Sequence, residues 1–163
     1  MRGFMELRQL FAAGDLLVGF DPADKWDAIR RLIEHLVSSG KLPRTAAAGV
    51  LEQVVTREKS MSTGMERGIA IPHAAVDQVE RVIACMGIVA RDKGLEFESI
   101  DGQPTRLVVL LVIPRAQKLL HIRTLADVAR VLGIDTVREA LVGSSSSAQA
   151  WEILAAGDTA SRR

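Results

Sequence analysis

Three histidines, a Ser-Thr-Gly run and a nearby arginine are the residues whose types and spacing suit group-transfer chemistry. His73 directly follows Ile71-Pro72. Proline fixes φ and has no N–H, so it ends a strand and sets the next residue at the rim of a sheet. An imidazole delivered there, beside a loop of Gly, Ser and Thr, is placed for nucleophilic work. A solvated loop histidine is the other reading, and spacing alone does not separate the two. His121 shares a helical stripe with Leu125, Val128 and Leu132, which puts it on the core-facing side within the first turn of a helix. A helix N-terminus disfavours imidazolium, so this ring stays neutral near pH 7 and still donates one N–H. A structural histidine bonded to a backbone carbonyl fits the same position. His35 lies off the stripe of Ile29, Ile33 and Leu36 and is read as a surface residue.

The loop Ser60-Met61-Ser62-Thr63-Gly64 offers hydroxyls and backbone N–H groups that can hold an anion. It lacks the P-loop lysine and the GxGxxG spacing, so nucleotide binding has no support. Arg57 opens the loop, and its guanidinium can pair with phosphate oxygens or form a surface ion pair with Glu58 or Glu52. Cys85, inside an apolar strand, reads as a small core residue rather than a nucleophile. A metal would need a third ligand beside His73 and His121, and neither HxxxH nor HExxH occurs, so no metal or other cofactor is expected.

The elements that must position these residues follow from periodicity. Asp21-Pro22 opens a helix carrying Trp26, Ile29, Ile33, Leu36 and Val37, which Ser38-Ser39-Gly40 ends. A second helix covers about Thr45 to Thr56, and Arg57 to Gly68 reads as a loop. Strands are expected at Leu16–Phe20, Ile69–Ile71, Arg81–Arg91, Leu95–Glu98 and Arg106–Ile113, with a turn at Asp101-Gly102. Arg106 to Ile113 has no polar residue after its first, as a central strand covered on both faces requires. Helices follow from about Leu119 to Leu132, from an Asp135 cap to Leu141, and from Ser147 through Leu154. The expected fold class is α/β with an α+β-like order: a mixed sheet of about four to five strands flanked by helices, in a single domain over residues 1–163.

Composition narrows the function. The chain has 163 residues, 48% apolar and 25% charged, with 21 basic against 20 acidic side chains. A net charge of +1 argues against a nucleic-acid binder working through massed phosphate contacts. One cysteine excludes an intramolecular disulfide. The apolar runs Val82–Val89 and Leu107–Ile113 fall far short of the ~20 residues of a membrane span. Glu6 and Arg8 interrupt any secretory h-region, so a cytoplasmic protein is expected, with no membrane insertion.

Several of these motifs occur in an order that resembles a known family. Arg57-Glu58, Ser62-Thr63-Gly64 and Gly68-Ile69-Ala70-Ile71-Pro72-His73 are similar to the signature of the enzyme IIA domain of the bacterial phosphoenolpyruvate-dependent phosphotransferase system, in its fructose/mannitol branch with the nitrogen-regulatory IIA proteins. The similarity continues through Asp101-Gly102-Gln103-Pro104, the strand ending Ile113-Pro114, and His121-Ile122 with Leu125 and Ala129, covering about residues 5–156. The resemblance implies a phosphocarrier. His73 would accept a phosphoryl group from an HPr-like donor, either HPr or its nitrogen-branch paralogue. His121 would steady the group, Arg57 would help neutralise it, and the loop residues Ser62, Thr63 and Gly64 would cradle it. The group would pass to a cysteine of a IIB domain or be held as a regulatory signal. The alternative is a non-transport regulatory module that binds its partner according to the phosphorylation of His73; the lack of a fused IIB or membrane domain in this sequence suits that alternative. Alignment and charge stabilisation, more than acid-base work, are what a phosphoryl relay needs. Glu66 stands where the family usually has glycine, and a carboxylate facing the site would repel phosphate by about 1 kcal/mol or more, with Arg67 as an offset.

Overall fold

A computed structural model describes residues 6–90 and 94–162. The helices are α1 (Leu7–Leu10), α2 (Lys25–Ser38), α3 (Arg44–Ser60), α4 (Lys118–Leu132), α5 (Asp135–Val142) and α6 (Ser147–Ser161). The strands are β1 (Leu16–Phe20), β2 (Ile69–Ala70), β3 (His73–Val76), β4 (Ile83–Val89) and β5 (Leu107–Pro114), and a 3-10 turn at Ala13–Asp15 precedes β1.

The uninterrupted apolar run of β5 puts it inside the sheet, with every residue buried. β4 pairs antiparallel with one side of β5, and β1 runs parallel to β4. Along the other side of β5, β2 pairs with Leu107 and Val108, and β3 pairs with Leu111 to Pro114, both parallel. β2 and β3 are therefore one edge strand broken at Ile71-Pro72, where the missing proline N–H removes a ladder bond. The mixed five-stranded sheet has a helical layer on each face. Leu107, Val109, Leu111 and Ile113 face one cluster with α1, α4, α5 and α6. Val108, Leu110 and Val112 face the other, with α2 and α3. Full burial of each such side chain stabilises the fold by about 1.5–3 kcal/mol, so the sheet is a rigid support for whatever its rim carries.

The expected α/β class with a mixed sheet is what the chain adopts. Local details differ. α2 starts at Lys25, capped by Asp24, whose side chain accepts from Asp27 N at 2.8 Å; Pro22 lies outside it. α3 continues to Ser60, so Arg57 sits in its last turn rather than in a loop. α5 begins at Asp135, which supplies first-turn charge instead of a side-chain cap, and α6 is capped by Ser146. Leu95 and Phe97 are buried between exposed Glu96 and Glu98, as alternation requires, yet the segment forms only an isolated bridge from Leu95 to Thr105. Glu98 at φ 53° leaves the extended region and prevents a ladder. β4 occupies Ile83–Val89 of the expected strand, and Arg91 lies outside the described residues. β3 was not expected from the pattern. Among the described residues, no helix is long and apolar enough to cross a membrane.

Candidate active site

His73 is the first residue of β3, in register with Leu111. Residues in register across a parallel pair share a face, so His73 points toward α4, while Ala74, paired with Val112, packs toward α3. Its Nδ1 lies 2.8 Å from Ile71 O. A carbonyl accepts only, so Nδ1 carries the proton and the lone pair of the neutral ring is on Nε2. The residue is 8% exposed, and it lines an open cleft of about 430 Å³ with Glu52, Gln53, Thr56, Arg57, Ser60 and His121.

His121 comes from the first turn of α4, where its N–H makes the first helical bond to Gln117 O at 3.1 Å. Val128 and Leu132 on its stripe are buried and anchor the helix, leaving His121 half-buried at the cleft wall. The two imidazoles meet edge to face with ring centroids 5.3 Å apart. Arg57 enters from α3, across the cleft, with its guanidinium donating to Met61 O at 2.9 Å. Burial, then the positive charge of Arg57, holds His73 below its ordinary value of 6.5, with the backbone bond to Ile71 opposing. The same two causes lower His121. Both rings are neutral at pH 7, so one offers a nucleophilic nitrogen while the other retains an N–H to donate.

The structure brings His73, His121 and Arg57 to one cleft and leaves the Ser-Thr-Gly run outside it. Ser62 Oγ donates to Phe97 O, Thr63 Oγ1 donates to Glu58 Oε1 at 2.6 Å, and Gly64 N donates to Ser62 Oγ at 3.1 Å. These donors are used inside the fold, which corrects the expectation of an anion cradle. Glu66 is exposed, and neither it nor Arg67 lines the cleft. Arg67 reaches the other end of the sheet, donating to Gly133 O at 3.1 Å with Asp135 at 3.5 Å.

His35 is not a surface residue: its Nε2 lies 2.9 Å from buried Asp15, which also pairs with Lys41. Cys85 is fully buried, and burial pushes its thiol far up, so it has no nucleophilic role. Among the described residues, no group of three or more His, Cys, Asp or Glu is placed to hold a metal ion.

Sequence reading missed the buried pair Lys25–Glu58, with Nζ 3.3 Å from Oε2 and side chains 10% and 0% exposed. Glu58, one of two alternative surface partners for Arg57 in the sequence, turns inward from the next position on α3. A signal was present, since Glu58 follows Val50 and Val54 at four-residue intervals on the apolar stripe, and Lys25 stands four residues before Ile29 on the stripe of α2.

The α/β scaffold belongs to a recognised class. Residues 10–157 match the family model of the phosphoenolpyruvate-dependent sugar phosphotransferase system, EIIA 2, and the chain belongs to this family of phosphocarrier domains. A nitrogen regulatory protein of Bradyrhizobium diazoefficiens is 32% identical over 136 residues, covering 82% of this chain and 87% of the relative. A fructose-specific EIIA component of Haloferax volcanii is 31% identical over 134 residues, covering 82% and 84%. Among solved structures, the nitrogen regulatory IIA-Ntr of Neisseria meningitidis superposes with a TM-score of 0.79 at 23% identity, covering 91% of this chain and 98% of that one. Escherichia coli mannitol IIA, solved in complex with phosphorylated IIB, superposes at 0.75 and 24% identity, covering 90% and 97%; both show the shared fold.

Proposed function

We propose that this chain carries a phosphoryl group on His73 Nε2, taken from the phosphohistidine of an HPr-like donor. The N–P bond of the donor breaks as the His73 N–P bond forms, and the electron pair of the broken bond returns to the donor imidazole. The group then passes to a cysteine of a IIB domain or stays as a regulatory mark. The observation that carries this reading is His73 itself: Nδ1 is occupied by Ile71 O, Nε2 is left for attack, and a second ring stands 5.3 Å away. His121 donates an N–H to the transferred group, and Arg57 supplies positive charge to its oxygens. Leu119, Ile122 and Met61 are exposed near the cleft and give a visiting protein apolar surface to cover. The chain so read is a cytoplasmic phosphotransferase component.

Incubation with phosphoenolpyruvate and the general phosphotransferase proteins should add one acid-labile phosphate, absent in His73→Ala. Labelling that persists in that variant ends the assignment. His121→Ala should still accept the group but pass it on poorly.

The relatives named nitrogen regulatory protein, at 28–36% identity, favour the regulatory branch of this reading. A phosphoryl group adds about −1.5 to −2 of charge to the rim and so alters any interface formed there. Pull-downs with the wild type and His73→Asp should then retain different partners; identical sets and affinities argue against a phospho-switch.

A further inference from the structure

We infer that Glu58, buried behind the cleft and out of reach of any phosphoryl group, is a positioning residue that holds His73 in its nucleophilic tautomer through the Ser-Thr-Gly loop. The inference rests on His73 being the phosphoryl acceptor. Four contacts connect the carboxylate to the ring. Glu58 Oε1 and Oε2 accept from Thr63 Oγ1 at 2.6 Å and Thr63 N at 3.0 Å. Thr63 O accepts from Ile71 N at 3.2 Å. Ile71 O accepts from His73 Nδ1 at 2.8 Å. Lys25 Nζ, 3.3 Å from Oε2, closes the far end and balances the charge.

Each contact solves a local problem created by the sequence. Pro72 breaks the edge strand, so the Ile71 peptide lies between β2 and β3 and takes no part in the ladder to β5. Its N–H needs another acceptor, and the loop supplies one by folding back antiparallel, with Gly64 bridging Ala70 and Met65 N donating to Ile69 O at 2.7 Å. The loop in turn has donors that must be met in a buried setting, and the carboxylate meets two of them with one group. Ile71 O is thus held from its own N–H side by the loop and from its other side by Pro72, whose carbonyl accepts from Leu111 N at 3.1 Å. A carbonyl fixed in this way selects the Nδ1–H form of the ring. The carboxylate also acts directly, since its negative charge raises the basicity of His73 against Arg57 and His121, which lower it.

The test separates this inference from the functional reading beneath it. In protein labelled with ¹⁵N-histidine, neutral wild-type His73 should give the spectrum of a single Nδ1–H tautomer. Thr63→Val, which keeps the shape and removes the hydroxyl, and Glu58→Gln should each move the tautomer ratio toward Nε2–H by roughly fivefold, the equivalent of one ordinary hydrogen bond. The rate of phosphoryl acceptance should fall only as far as the population of the Nδ1–H form falls. Thr63→Ser should restore both, which a general loss of packing does not do. Glu58→Gln should also lower the titration midpoint of His73, whereas Thr63→Val leaves the charge in place. A tautomer ratio unchanged in Thr63→Val and Glu58→Gln overturns the inference while leaving His73 as acceptor. Failure of wild-type protein to accept phosphate overturns the reading on which it rests.

Discussion

Lys25→Met tests how strongly the pair behind the cleft is coupled. Methionine keeps most of the length of lysine and its contact with the rings of Trp26 and Phe97, over which Nζ lies at 5.0 and 5.6 Å, so the substitution isolates the charge. Glu58, 0% exposed, is left without its cation, because Lys25 is the charged partner that reaches its carboxylate. Removing one member of a buried pair costs about 3–5 kcal/mol, since the other charge remains desolvated and unmatched. The two hydrogen bonds from Thr63 persist and put the expected loss at about 3 kcal/mol, the lower end of that range. For a chain of this size the melting temperature should drop by roughly 6–12 °C. Urea unfolding followed by circular dichroism should show a lower midpoint with an unchanged slope. The double variant Lys25→Met/Glu58→Gln replaces the charges with neutral groups and keeps an amide oxygen for Thr63, so it should be more stable than Lys25→Met alone by at least about 1 kcal/mol. If Lys25→Met unfolds within about 0.5 kcal/mol of the wild type, or the double variant loses the sum of the two single losses, the pair is not coupled and the argument fails.

Burial and Arg57 lower both cleft imidazoles, so phosphoryl acceptance should stay level from pH 8 downward and fall with a midpoint below 6.5; a midpoint at or above 6.5 in the pH–rate profile contradicts this. The same shifts make the unfolded chain bind more protons than the folded one once pH drops below 6.5. Stability should therefore decline as pH falls through that range, and the decline should flatten in His73→Asn/His121→Asn. Gly87→Ala should lower the urea midpoint by the equivalent of about 1–3 kcal/mol, because a Cβ there would lie 2.2 Å from Phe20 Cδ2; a wild-type midpoint would show that the ring moves freely. Cys85, buried and with its thiol pushed up, should resist Ellman's reagent in the folded protein and react on unfolding.

Long periodic segments were legible because their apolar spacing reports the face they bury. The central strand and the helices carrying Ile29–Leu36, Val50–Val54 and Val128–Leu132 all lie close to where the pattern places them. The histidine at the rim was legible from Ile71-Pro72, and His121 from its stripe. Shorter features were not. β3 is too short to show a period, and its identity as a continuation of β2 depends on the partner strand. Asp15 and His35 are 20 residues apart, so their contact is invisible to local spacing, and a histidine beside Glu34 reads as surface.

Residue order alone determined the chemistry on offer: a ring nitrogen after a strand-breaking proline, a second ring in a helix's first turn, and a guanidinium near a hydroxyl loop. Tertiary structure decided which of these meet. It carried α4 across the face of β5 until the two rings stood 5.3 Å apart. It also turned the loop's donors away from the cleft and onto Glu58. The division has a physical cause. Backbone constraint and periodicity act between neighbours in the chain and are written locally, whereas the partner of a buried polar group is chosen by whichever distant segment packing brings within hydrogen-bond range.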